Sequence, residues 1–142
     1  MRTMTAKEYL KLYKDAVRAV DVLQEEYDTQ TEQIDSIRSA LGGDGLPRSG
    51  EVSKRVENQA VKLAEKAEQL LEAKEEALAV RQHIFRTVRE VPGEQGDVLR
   101  ERYINLRHWS EIAEILGYTE RQCYNLHNKG LEVVDGLIGS LH

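Results

Sequence analysis

Apolar rows that repeat every seventh residue constrain this chain more than any other feature. The first row holds Ala6, Tyr13, Val20, Tyr27, Ile34 and Leu41, and a companion three residues on holds Tyr9, Ala16, Leu23, Gln30 and Ile37. The second holds Val56, Leu63, Leu70, Ala77, Ile84 and Val91, flanked by Ala64, Leu71, Leu78 and Phe85. A sevenfold row makes a seam along a helix, and a second helix packs lengthwise against it. Residues from 5 to about 41 are therefore predicted to form one helix, opened by a capping box of Thr5 and Glu8. Residues from 51 to about 90 form the second. Each measures on the order of 55–60 Å at about 1.5 Å per residue. Gln30 is a polar break in the seam. Between the helices lie Gly42, Gly43, Asp44, Gly45, Leu46, Pro47, Arg48, Ser49 and Gly50, a stretch whose glycines and proline end a helix. A flexible turn between equal helices predicts an antiparallel hairpin, a coiled-coil arm over 1–91 with its turn at 42–50. Ala60, Ala64, Ala67, Ala73 and Ala77 permit close approach.

The rest of the composition agrees with an all-α chain. There are two prolines and one phenylalanine, and 32% of residues are charged, which favours long helices over a sheet. The single cysteine, Cys123, excludes an intramolecular disulfide and a cysteine zinc cluster. No N-terminal apolar stretch resembles a signal peptide and no run is long enough to cross a bilayer, so a cytoplasmic location and no membrane partner are expected. A two-helix hairpin covers only one face of each helix, so a homo-oligomer is expected.

Val91, Pro92, Gly93, Glu94, Gln95 and Gly96 make a second break, read as a domain boundary. Beyond it the texture changes, and a compact domain is expected over 97–142. Asp97 is placed to cap a helix carrying Val98, Leu99, Tyr103 and Ile104, and Asn105 to His108 make a turn. Trp109 to Leu116 form a short helix with Ile112, Ala113 and Leu116 on one face. Gly117 suits the left-handed residue that ends it. Thr119, three residues before Gln122, caps a third helix. A short helix, a turn of a few residues and a capped second helix make a helix-turn-helix, the arrangement that presents a helix to the DNA major groove.

A helical wheel sorts the third helix. Cys123, Leu126, Gly130 and Val134 fall on a core face. Arg121, Asn125 and Asn128 lie opposite, with Gln122, Tyr124 and Lys129 at the flanks. These residue types suit DNA: Arg for guanine edges, Asn and Gln for adenine, Lys for phosphate. Thr119 at the cap and Arg107 in the preceding turn complete the expected contact set. Electrostatics argues the other way. From Asp97 onward seven acidic residues oppose five basic ones, and the whole chain is −5, without the basic surplus of a free-standing DNA binder.

The run Val98-Leu99-Arg100-Glu101-Arg102-Tyr103, then Trp109-Ser110-Glu111-Ile112-Ala113-Glu114-Ile115-Leu116-Gly117-Tyr118, then Thr119-Glu120-Arg121-Gln122-Cys123-Tyr124-Asn125-Leu126-His127 resembles the region-four helix-turn-helix of bacterial sigma factors. It is similar, more closely, to phage and prophage transcriptional regulators of the RinA/ArpU-like group, over roughly a third of the chain. The resemblance implies binding of double-stranded DNA through the helix that starts at Thr119. It also implies control of phage genes inside a bacterial host, with host RNA polymerase as a partner.

Other residues read as structural. Trp109 is expected to anchor the module, Cys123 to be a small buried residue, and His127 to be packed or to face phosphate. His83 and His108 stand alone, with no spacing for a metal. Arg102 and Tyr103 suit bracing and phosphate contact alike. No phosphate loop, nucleophile elbow or metal-ligand cluster appears, so neither an enzyme nor a cofactor is expected. Two other functions use the same parts: a small-terminase-like DNA-packaging protein, and a coiled-coil adaptor whose helix-turn-helix binds protein.

Overall fold

The computed structural model describes residues 4–42 and 50–140. Among them every element is helical: α1 (Ala6–Leu10), α2 (Leu12–Gly42), α3 (Gly50–Arg89), α4 (Gly93–Leu99), a π-helical turn (Arg100–Ile104), α5 (Trp109–Leu116) and α6 (Glu120–Ser140). The chain is all-α, as its patterning predicts. The turn expected at 42–50 lies outside the described residues except for Gly42 and Gly50, which close α2 and open α3.

The chain divides into two compact units, and not at the 91–97 break. One comprises Met1–Ala16 with Ala77–His142, the other Val17–Glu76. The reason is a single apolar cluster in the first unit. It joins Ala6, Tyr9 and Leu10 from the chain start and Ile84, Val88 and Val91 at the end of α3 to Leu99, Tyr103, Ile104 and Val134. The sevenfold rows thus do two jobs, and Ala6, Tyr9, Ile84 and Val91 join a cluster with the C-terminal helices.

Local details of the first unit depart from expectation in three places. The first helix is interrupted at Lys11, although the bonds from Lys11 N–H to the Lys7 carbonyl and from Asp15 N–H to the Lys11 carbonyl carry across. The break after α3 is shorter than Val91–Gly96, because α4 already begins at Gly93, which adopts φ +62°. Asp97 therefore caps nothing and instead pairs with Arg100 at 2.6 Å. Gly96 sits inside α4, buried, where an added Cβ would lie 2.2 Å from the Val91 carbonyl oxygen. Only a glycine lets α4 fold back this tightly on the end of α3. Gly130 does similar service where α6 crosses α4, with the Leu99 side chain 2.9 Å from the position of a Cβ.

In the second unit, Lys66 of α3 donates to Glu26 of α2 at 2.6 Å. Further along, Ser36 and Ile37 share a groove with Arg55 and Gln59. Numbers rise on one helix as they fall on the other, so the two are antiparallel. Ile34 and Leu70 are buried in the seam. Gln30 Oε1 is buried there without a hydrogen-bond partner. Leu71 of the flanking row is exposed, as are Leu78 and Phe85 in the first unit. That row lies about 100° around α3 from the buried one, outside the reach of a single partner helix.

Candidate nucleic-acid interface

The helix-turn-helix is built as its residues require. α5 buries Ile112 and ends at Gly117, whose φ of +74° and ψ of +30° place it in the left-handed region. Tyr118 N–H then closes the turn on the Ala113 carbonyl at 3.0 Å. Thr119 Oγ1 accepts from the Gln122 N–H at 3.1 Å, and Gln122 Oε1 accepts from the Thr119 N–H at 2.9 Å. This reciprocal capping box fixes the start of α6. Val98, Ile112 and Cys123 form the small core beneath, with Trp109, Ala113, Leu116, Tyr118 and Leu126 packed around them. Cys123 is a fully buried apolar residue, as expected.

Arg121, Gln122, Tyr124, Asn125, Asn128 and Lys129 are all exposed on α6, and so is Thr119 at its cap. Arg121, Asn125 and Asn128 follow i, i+4, i+7 spacing and share one face. Thr119 and the carbonyl end of Gln122 are committed to capping. Arg107 is not brought to this face. Its guanidinium pairs with Glu101 at 2.8 Å and with Glu111 at 3.6 Å, and its backbone carbonyl accepts from Arg102 at 2.9 Å. It braces the turn at 105–108, where Leu106 adopts φ +55°.

Beside the α6 face runs a groove that sequence reasoning missed. Lys7, Lys11 and Lys14 line one side and Tyr124 and Asn128 of α6 the other, with Arg102, Tyr103, Leu106, Trp109 and His127 completing it. The lysines follow the same i, i+4, i+7 spacing, a signal present in the sequence beside the apolar rows of the same predicted helix. α1 is held against α6 by a long-range cap, since Asp135 Oδ1 accepts from the Ala6 N–H at 2.7 Å. Thr5 Oγ1 caps the Glu8 N–H. No carboxylate lines the groove, and among the described residues none of the three lysines is ion-paired.

The fold thus revises the charge argument. The first unit carries twelve Lys and Arg against eleven Asp and Glu, while the second carries eight against fourteen. The acidic excess belongs to the second unit, and four of the first unit's basic side chains line one groove.

Aromatic groups line much of the groove. Trp109 packs against Tyr124 with ring centroids 4.5 Å apart, and the Arg102 guanidinium lies 4.9 Å from the Trp109 centroid. The anchoring role expected of Trp109 holds. Below, the Tyr103 hydroxyl meets His127 Nε2 at 2.6 Å. Burial pushes the Tyr103 hydroxyl up to about 12, so it stays protonated in its hydrogen bond with the ring. Burial also pulls His127 down to about 4, opposed by its Asn128 hydrogen bond and reinforced by the nearby charges of Lys7 and Arg102. His127 is therefore the packed, neutral histidine of the two alternatives.

A pH dependence follows. The folded His127 resists protonation down to about pH 4, whereas an unfolded histidine protonates near 6.5. The unfolded chain takes up the proton first, so this contribution to stability is intact above pH 6.5 and declines as pH falls from 6.5 to 4. His127→Gln keeps a side chain that can hydrogen-bond Tyr103 in either direction and removes the titration. Its melting temperature is expected to fall less than that of the wild type across this window, and parallel curves would remove His127 as the cause.

No family model matches this chain, and no curated protein and no solved structure match it.

Proposed function

We propose that the chain is a sequence-specific binder of double-stranded DNA that regulates transcription, as its resemblance to phage regulators implies. The observation that carries this reading is the pairing of two surfaces on one unit. The exposed Arg121, Asn125 and Asn128 offer the donors and acceptors that read base edges in the major groove. The acid-free groove with Lys7, Lys11, Lys14 and Arg102 adjoins it through Asn128, and supplies the phosphate contacts that give affinity and register. In this reading the chain start completes the DNA-binding module. The exposed Leu71 and Leu78 support self-association, and a dimer doubles the contacts. Host RNA polymerase as a further partner rests on the resemblance.

Amide hydrogen exchange of the full chain, with and without mixed-sequence duplex at low salt, tests the placement. Protection is expected at 119–129 and at 7–14. Protection confined to 17–76, or none, would contradict it and favour the protein-binding adaptor.

A further inference from the structure

We infer that the groove between Lys7–Lys14 and α6 is also a site for a single nucleotide, its phosphate held by Lys7, Lys11, Lys14 and Arg102 and its base laid against Tyr124. This goes beyond the duplex reading and does not depend on it. The first reason is charge. Four cationic side chains and no carboxylate face one concavity, and the lysines have no ion-pair partner among the described residues. Such a cluster stabilises a bound phosphate by charge-assisted hydrogen bonds.

The second reason is shape. Phosphates of a passing duplex need only a basic ridge, yet this is a cavity of about 280 Å³. That volume lies just under the range of about 300–1,000 Å³ for small-molecule sites, and it limits the occupant to a small ligand.

The third reason is the aromatic wall. Trp109 is engaged by Arg102 and by Tyr124, and Tyr103 and His127 satisfy one another. Tyr124 leans on Trp109 yet remains 43% exposed, which leaves ring surface on which a base stacks. The Asn128 amide at the rim is suited to a base edge. Inorganic phosphate would use the charge and leave the ring and most of the volume idle. The nucleotide has two sources, a free monophosphate or one unit of a single strand.

Trp109 is the chain's one tryptophan and lines the groove, so its emission reports occupancy, and calorimetry reads the same titration. The full chain is titrated with dTMP, thymidine, inorganic phosphate and a short oligothymidylate. Saturable binding of dTMP is expected, at least about tenfold tighter than thymidine, which lacks the phosphate for the cationic side chains, and about tenfold tighter than inorganic phosphate, which lacks a base to stack. Lys11→Ala with Lys14→Ala, and separately Tyr124→Ala, should each weaken dTMP about tenfold, while Tyr124→Phe preserves it. Arg121→Ala with Asn125→Ala should leave dTMP binding unchanged, which separates this site from duplex reading. Tighter binding of the oligonucleotide than of dTMP assigns the site to a strand, and equal or weaker binding assigns it to the free nucleotide. Failure of dTMP to bind at millimolar concentration, or binding no better than phosphate, overturns the inference and leaves the duplex reading standing.

Discussion

Gly96→Ala is expected to destabilise the first unit by about 3 kcal/mol, the upper range for forcing an extra methyl into a packed site. The added Cβ would meet the Val91 carbonyl oxygen at 2.2 Å, and that atom is backbone. Relief therefore requires α4 to move away from the end of α3. Such a shift disturbs Val98 and Leu99, both fully buried in the two core clusters. A matched control exists in the same unit. Gly136 is helical and has nothing within 4 Å of an added Cβ, so Gly136→Ala should stabilise α6 by about 0.5–1 kcal/mol. Urea unfolding followed by Trp109 emission compares the two. Equal effects would mean that the Val91–Gly96 approach contributes nothing.

Charge reversal of the lysine row should have the largest effect on binding. Lys7→Glu, Lys11→Glu and Lys14→Glu together turn the groove from cationic to mainly anionic, and all three side chains are exposed. Duplex binding at physiological salt should be lost. The milder triple alanine variant should retain weak binding with a smaller salt dependence. Each lost phosphate contact removes about 0.9 from the slope of log affinity against log salt, so three lysines account for a reduction of about 2.7. Fluorescence anisotropy of a labelled duplex across a salt series measures this. An unchanged slope would take the lysine row out of the interface.

Much of this architecture is legible in the sequence because local rules decide it. The sevenfold rows specify α2 and α3, Gly117 ends α5, and Thr119 with Gln122 starts α6. Each of these depends on residues within a turn or two of one another. The wheel for α6 separates Cys123 and Val134 from Arg121 and Asn125 for the same reason. What escapes a local reading is the partnership between the chain's two ends. Nothing near Asp135 announces that it caps Ala6, 129 residues away. Nothing near Lys11 announces that it faces Tyr124. The charge balance from Asp97 onward consequently omits the cations that serve the site. Asp97 illustrates the opposite error. It is a good capping residue, yet α4 starts four residues earlier, because Gly93 reaches φ +62° and Gly96 tolerates the close Val91 carbonyl. Arg107 is likewise a sound phosphate ligand by type, but Glu101 and Glu111 hold it.

The central claim is that the exposed face of α6 reads DNA sequence. Selection from a pool of random duplexes, using the wild type beside an Arg121→Ala, Asn125→Ala variant, tests it most directly. A discrete motif enriched by the wild type and lost in the variant is the predicted result. A motif that persists in the variant would place sequence reading elsewhere, and no enrichment at low or physiological salt would contradict the claim that this chain recognises DNA on its own.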